Sequence, residues 1–158
     1  MEMCNVKKVD TKEYISILRD IVREGKEAGV KVSGGSMAPF LADQRDYIYF
    51  KLPYAPLKKG DMVFYQRDNG QFVMHRIYKI TDEGLFIIGD AHNVVEGPVR
   101  SDQVFAVVFK VKRKGKIIGP GNFWWEFFEH VWINIIPLRR FVVKLYSIFS
   151  KRGSYGKK

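Results

Sequence analysis

The sequence predicts a mainly β protein: a small, coiled antiparallel sheet or barrel, with one helix before it and amphipathic helices after it. Hydrophobic residues recur with period two from residue 30 to about residue 118. Turn signals divide this region into short runs, and the strongest of them is Asn69-Gly70. The 158 residues, 46% hydrophobic and 28% charged, suffice for a buried core. We therefore expect three segments: a helical one (1–29), a β domain (30–118) and a second helical one (119–158).

The N-terminal segment has the pattern of one helix, over about residues 11–26. Asp10, three residues before Glu13, resembles a capping box. Apolar residues then follow at helical spacing: Tyr14, Ile17, Leu18 and Ile21. We expect this stripe to pack on the body of the protein.

The β domain is predicted from short alternating runs bounded by turn residues. The predicted strand regions are 46–52, 57–65, 66–80, 85–90 and 102–111. Asn69-Gly70 interrupts the third of them and predicts a hairpin, and residues 113–116 predict another turn. Several short strands in under a hundred residues favour antiparallel pairing.

The C-terminal segment is aromatic and helical in pattern, with a break or kink near Pro137. Residues 123–138 would span about 24 Å as a helix, less than the roughly 30 Å of a bilayer core. The following residues place large apolar side chains on one side and Lys144 and Lys151 on another. This pattern is typical of a helix that lies in a membrane interface. The alternative is that both halves cap the sheet and the basic residues are solvated.

The net charge of +10 comes entirely from residues 110–158, which hold 12 Lys or Arg and 2 Asp or Glu. Residues 1–109 hold 15 of each sign. A basic tail on a neutral body indicates an anionic partner, either lipid or nucleic acid. We expect an anionic membrane surface bound through residues 123–158, because large apolar residues suit lipid. Nucleic acid is not expected, since no helix-turn-helix pattern is present.

The cysteine content and the polar residues 1–13 argue against several classes of site and against membrane insertion at the N-terminus. Cys4 is the single cysteine, which argues against a disulfide scaffold, a thiolate metal site or a cysteine nucleophile. No metal or cofactor is expected. Residues 1–13 are polar, so we expect neither a secretory signal nor a spanning helix, and a peripheral membrane or cytoplasmic location.

Residues 32–46 raise the question of a nucleophile, because Ser36 stands between two glycines and Pro39. Gly34 and Gly35 allow turns that other residues avoid, and proline restricts the chain that follows. An ordinary turn after a strand would have the same composition. A serine nucleophile needs a base elsewhere in the chain.

Three histidines are available as that base. His130 lies in the aromatic tail, as expected of a packing or interface residue, and His92 follows a turn, as a surface residue would. His75 lies in the second strand of the predicted hairpin, on the face of Val73 and Ile77. Periodicity alone would make His75 a structural residue.

The order of motifs along the chain favours a catalytic role for Ser36 and His75. "GGSMAP" is followed by "KKGDMV", then "VMHRI", then "IIGDAHNVVEGPV" and finally "DQVFAVV". This series resembles the signal peptidase I family, whose wider clan includes self-cleaving repressor peptidases, and it covers residues 30–118. The resemblance implies a sheet of the signal-peptidase type. The residue before Arg76 is histidine, as in the endoplasmic-reticulum and archaeal branch, whereas bacterial-type members have lysine.

The resemblance implies a serine endopeptidase in which Ser36 is the nucleophile and His75 the general base. An imidazole with an ordinary pKa of about 6.5 would accept the proton near neutrality without special desolvation. The backbone near Gly34, Gly35 and Ser36 would stabilise the oxyanion, and Met37 would line a cleft for small side chains.

A third group would orient His75. Glu96, six residues after Asp90, is the first candidate, and Asp102 is the alternative. Glu96 would otherwise be a solvated loop carboxylate. Arg76, on the opposite face from His75, is expected to brace a loop.

The N-terminal membrane anchor usual in the family is not expected here. We therefore expect a signal-peptide-like or precursor peptide as substrate and leave the side of the membrane open. Two other functions are kept: a catalytically inactive module that binds peptides by strand addition, and a nucleic-acid-binding protein acting through its basic tail.

Overall fold

The computed structural model describes residues 11–153; Cys4, the cap expected at Asp10 and residues 154–158 lie outside that range. The helices are α1 (Thr11–Arg23), α2 (Phe123–Glu126) and α3 (Ile136–Gly153). The strands are β1 (Ala28–Lys31), β2 (Tyr47–Lys51), β3 (Met62–Gln66), β4 (Phe72–Thr81), β5 (Gly84–Ile88), β6 (Glu96–Val99), β7 (Val104–Arg113) and β8 (Lys116–Ile118). Between α2 and α3 the chain forms a π-helical turn (Phe127–Val131) and a 3-10 turn (Trp132–Asn134).

The eight strands form one antiparallel sheet in the order β1-β2-β7-β3-β4-β5-β6, with β8 paired to the end of β7. The sheet is open, because β1 and β6 are its edges and do not pair with each other. The expected mainly β architecture with helices at both ends is confirmed. Of the two alternatives, sheet or barrel, the described residues form the open sheet.

The hairpin predicted at Asn69-Gly70 joins β3 to β4. Tyr65 lies opposite Val73 in its register, and Gly70 adopts a φ of +82°, a conformation that glycine takes without strain. The turn expected at residues 113–116 joins β7 to β8. Both turns were predictable because their geometry depends on the residues within them.

Two hydrophobic clusters lie on opposite faces of β3. Met62 and Phe64 belong to the larger cluster, which also contains residues of α1 and of the C-terminal segment. Val63 and Tyr65 belong to a smaller cluster formed with β4, β5 and β6. All four side chains are buried, so β3 is the central strand of the core.

Helix α1 packs on the sheet through a face slightly different from the one expected. Leu18 is buried as predicted, but its buried companions are Ile15 and Val22. Tyr14 and Ile17 remain exposed. The periodicity correctly predicted a helix, whereas the contact with β1 and β7 determines its rotation.

The first half of the C-terminal segment packs on the sheet, as expected from the alternative in which this segment covers the sheet and does not bind a membrane. Trp125, Phe128 and Trp132 are buried in the larger cluster, and the Phe128 ring lies 4.8 Å from that of Phe40. The helical path breaks before Pro137, which occupies the first turn of α3, where proline is tolerated. Within residues 11–153, no helix is long and apolar enough to span a bilayer.

A buried ion pair joins β4 to the loop after β5. Arg76 donates from Nε and Nη2 to the two carboxylate oxygens of Asp90, each at 3.0 Å. Its Nη1 also donates to the Gly60 carbonyl at 2.9 Å. The side chains of Arg76 and Asp90 are 1% and 0% exposed. Since water does not reach them, each charge is stabilised by the other. Arg76 braces a loop, as expected from its place on the strand.

Replacing Arg76 with methionine is expected to lower the free energy of unfolding by about 3–5 kcal/mol, because it leaves the Asp90 carboxylate buried and uncompensated. Urea denaturation followed by circular dichroism measures this loss. The matched control is Arg100→Met, which breaks the exposed pair with Asp68 and should leave the free energy of unfolding nearly unchanged, because water screens exposed charges. Equal losses in the two variants would contradict a structural role for the buried pair.

Candidate functional site

Ser36 lies in the turn that follows β1, five residues after Lys31, the last residue of that strand. Gly34 has a φ of +88°, which a residue with a side chain rarely adopts. The Gly34 N–H donates to Asp43 Oδ1 at 2.9 Å and so is already occupied. Ser36 itself is partly exposed. Gly34, two residues before Ser36, therefore sets the turn and holds it to the loop that contains Asp43.

His75 lies on β4 with its imidazole 5% exposed. The neighbouring Arg76 points to the other face of the strand, since successive strand side chains alternate. The Nδ1 atom of His75 is buried and has no hydrogen-bond partner among the described residues. The imidazole is thus held by packing.

Ser36, His75 and His92 approach one another around Gly89. A methyl group placed on Gly89 would lie 2.7 Å from the Ser36 carbonyl oxygen, 2.8 Å from His92 Nδ1 and 3.1 Å from His75 Nε2. The Ala91 N–H donates to the same Ser36 carbonyl at 2.9 Å. Glycine is required here because any side chain would separate the serine turn from the two imidazoles. Within residues 11–153, no hydrogen bond joins the Ser36 hydroxyl to His75.

Two side chains of the C-terminal segment bind the Gly89–His92 loop. Trp132 Nε1 donates to the Asp90 carbonyl at 2.9 Å. Arg139, fully buried, donates from Nη1 to the carbonyls of Gly89 and His92 at 3.0 and 3.2 Å. Together with the Arg76–Asp90 pair, these contacts fix the loop that positions Ser36.

Ser36 and His75 line one groove with a volume of about 380 Å³. The side chains of α1, β1, β2, β3 and β4 form its walls, and Met37, only 1% exposed, lies among them. Its apolar walls include Ile15, Val30, Ile48, Phe64, Phe72 and Met74. The groove therefore has many apolar side chains in its walls, with Ser36, His75 and His92 and a few further polar residues, among them Arg67, also lining it.

Two unpaired backbone edges border this groove. β1 is an edge strand of the sheet. The first residues of β4, 72–75, pair with β3 alone, because β5 joins β4 only from Arg76 onward. Both edges contribute residues to the groove. An extended peptide placed between them would find backbone donors and acceptors on either side.

The pKa of His75 is lowered to about 4, well below its ordinary value. Burial is the main cause because it disfavours the charged imidazolium, and the nearby His92 lowers the pKa further. The Glu96 carboxylate opposes this shift but does not cancel it. His75 is therefore neutral throughout the physiological range, which differs from the near-neutral pKa expected from the sequence.

Within residues 11–153, no hydrogen bond joins Glu96 to His75. Its carboxylate accepts hydrogen bonds from Arg67 at 2.7 and 2.6 Å and from the Tyr65 hydroxyl at 2.8 Å. The Arg67 guanidinium holds the pKa of this carboxyl below its usual range. Glu96 acts on the imidazole only through its field.

Asp102, the alternative third group, does not line the groove. It lies in a 3-10 turn before β7, with its side chain 74% exposed, and pairs with Arg100 at 3.2 Å. The structure therefore brings together Ser36, His75, Gly34 and Met37, but leaves both carboxylates engaged elsewhere.

Three residues of the site were not foreseen in their roles: His92, Arg67 and Arg139. His92 follows the Gly89-Asp90 turn by two residues, and that turn is held beside β4 by Arg76. The closeness of His92 to this turn in the sequence could have located it only once Asp90 is known to pair with Arg76. Arg139 is 50 residues from the carbonyl of Gly89 that it binds, so no local pattern points to it.

One group of residues within 11–153 has the composition of a metal site: Glu126, Glu129 and His130. Its carboxylates already have partners. Glu129 accepts from Trp125 Nε1 at 2.9 Å and pairs with Lys58 at 3.1 Å. Glu126 accepts from the Gly121 N–H and contacts His130. These contacts account for the cluster without a metal.

A titration of the imidazole C–H resonances by NMR should give His75 a midpoint of about pH 4. In His92→Gln the midpoint should rise, because a neighbouring positive charge is removed. In Glu96→Gln it should fall, because a stabilising negative charge is lost. A midpoint at or above the ordinary value of about 6.5 would contradict the burial described for His75.

Comparison with protein-family models finds no matching family, and comparison with curated proteins finds no similar sequence. The function of the chain is therefore inferred from the geometry of its own residues.

Proposed function

We propose that this chain is a serine endopeptidase of the signal peptidase I type, in which Ser36 is the nucleophile and His75 the general base. The observation that carries the proposal is that the two residues line one groove, where the Ser36 carbonyl oxygen and His75 Nε2 both lie about 3 Å from a methyl group built on Gly89. Their order along the chain and the surrounding motifs resemble those of the histidine branch of that family.

The protonation state of His75 suits the role of base. A neutral imidazole is needed to take the Ser36 proton as the hydroxyl oxygen attacks the peptide carbonyl. With a pKa of about 4, nearly all His75 is neutral at pH 7. The imidazolium then gives this proton to the leaving amine as the peptide C–N bond breaks. The same imidazole next deprotonates a water molecule that attacks the ester, and it returns the proton to Ser36 Oγ as the acyl–oxygen bond breaks.

The surroundings of His75 favour a dyad over a triad. Nδ1 has no partner in the part of the chain that the structure describes, and Glu96 is bound to Arg67 and Tyr65. The field of Glu96 favours the imidazolium and opposes the cost of burial. Glu96 thus acts on His75 through its charge alone in this proposal.

Backbone donors are available for the oxyanion. The N–H groups of Gly35 and Ser36 have no acceptor among the described residues, whereas that of Gly34 is bound to Asp43. The oxyanion would therefore lie beside the Ser36 N–H. Removing one such donor in other enzymes costs a factor of about 10²–10³ in rate.

The groove supports an extended peptide as substrate. Its two unpaired edges, in β1 and in residues 72–75 of β4, would each pair with backbone groups of the peptide. Its walls would take apolar side chains. A signal-peptide-like or precursor segment has this chemistry.

A peptide-binding module without turnover is the second candidate. It is favoured by one observation: within residues 11–153, no hydrogen bond joins the Ser36 hydroxyl to His75. Such a module would use the same groove and edges and would not form a covalent serine intermediate.

A fluorophosphonate probe distinguishes the two functions. Its phosphorus should bond to Ser36 Oγ with loss of fluoride, while the hydroxyl proton passes to His75. Labelling should be absent in Ser36→Ala and slower by about 10²–10⁴ in His75→Ala, the usual worth of a general base. Intact mass spectrometry measures both.

The matched control is Ser33→Ala, since Ser33 lines the same groove and is exposed. It should label like the unmodified protein. Labelling that persists in Ser36→Ala, or a folded protein that never labels yet binds peptides, would overturn the peptidase proposal and favour the binding module.

The labelling rate should rise with pH through a midpoint of about 4 and then remain flat around neutrality. Below the midpoint the imidazole is protonated and has no lone pair for the serine proton; above it the base form is saturated. Circular dichroism at each pH confirms that the protein is folded. A midpoint near 6.5 would show that His75 is not the base in its buried position.

A further inference from the structure

Helix α3 carries a continuous apolar stripe that the rest of the described chain does not cover. Its members recur every three or four residues, which places them on one face of the helix. Their exposed fractions run from 38% to 69%. The stripe consists of Leu138, Phe141, Val142, Leu145, Ile148 and Phe149. Over these positions the helix rises about 17 Å, so the stripe is long and narrow.

The opposite part of α3 faces the body and is anchored there. Arg139 is fully buried among the carbonyls of Gly89, His92 and Trp132. Val143 packs against the larger hydrophobic cluster. The helix is therefore fixed by one face, and its apolar stripe points elsewhere.

The charges of α3 are all positive. Arg140, Lys144 and Lys151 are exposed, and at 100° per residue they fall together on one side of the helix, next to the stripe. Residues 136–153 contain no Asp or Glu. An apolar stripe with cations along one border is complementary to a surface that is apolar inside and anionic outside.

We infer that α3 binds an anionic phospholipid surface, lying flat with its apolar stripe between the headgroups and its cations against the lipid phosphates. A second copy of the chain fits less well. Pairing two such stripes would bring cationic sides together without any acidic residue from either helix. This inference goes beyond the proposed peptidase activity and does not depend on it.

The anchoring of α3 gives the membrane contact a consequence for the groove. Arg139 binds the Gly89 and His92 carbonyls, and this loop holds the Ser36 turn through Ala91. A lipid surface bound by α3 would therefore stand at a fixed position relative to the groove. Peptides lying on that surface would be presented to one defined side of the protein.

Sedimentation with vesicles tests the inference on the full chain. Binding is expected to vesicles of phosphatidylcholine mixed with phosphatidylglycerol, and to be weaker with phosphatidylcholine alone. Phe141→Asp and Leu145→Asp should each weaken partition by about tenfold or more, because a buried apolar side chain is replaced by a charge. Lys144→Glu and added salt should weaken it as well.

The matched control is Ile80→Asp, which places the same charge at an exposed apolar position of β4 and should leave partition unchanged. Fluorophosphonate labelling without lipid should also be unchanged in Phe141→Asp, so failure of the membrane inference and failure of the peptidase proposal are distinguishable.

Three outcomes would overturn the inference. The first is no sedimentation with anionic vesicles. The second is a dimer in analytical ultracentrifugation that Phe141→Asp dissociates while vesicle binding is unaffected, which would assign the stripe to a second copy. The third is tight, salt-sensitive binding to DNA without lipid affinity, which would assign the cations to nucleic acid.

Discussion

The buried ion pair between Arg76 and Asp90 is the constraint on which the candidate site depends. Both charges are removed from water, so each is stable only while the other is in place. Asp90 belongs to the loop that passes Gly89 between Ser36 and the two imidazoles. Because Ala91 of the same loop binds the Ser36 carbonyl, the pair sets the position of the serine turn relative to β4.

Strand alternation lets two adjacent residues of β4 serve two purposes. Arg76 points to one face and fixes the loop, while His75 points to the other and enters the groove. Because His75 and Arg76 are consecutive residues, the ion pair also helps to fix the position of the imidazole. Its burial lowers the pKa and keeps it neutral, and the field of Glu96 limits that effect. Packing therefore sets both the position and the protonation state of His75.

The C-terminal segment supports the loop beside Ser36 and also forms part of the protein surface. Its first part is core, through Trp125, Phe128 and Trp132, and Trp132 also donates to the Asp90 carbonyl. Arg139 continues this contact from α3. The outer face of the same helix is apolar and cationic. One segment thus joins the loop beside Ser36 to the surface for which we propose a lipid partner.

The sequence by itself determined those features whose cause is local. The period of two predicted the strands, Asn69-Gly70 predicted the β3–β4 hairpin, and helical spacing predicted α1. The motif order also led to Ser36 and His75 as candidates. The tertiary structure alone decided that the sheet stays open, that α1 turns Ile15 inward, that Glu96 pairs with Arg67, and that His92 lies beside His75. These outcomes join residues far apart in the chain, so they follow from strand order and register, which no short stretch of sequence contains.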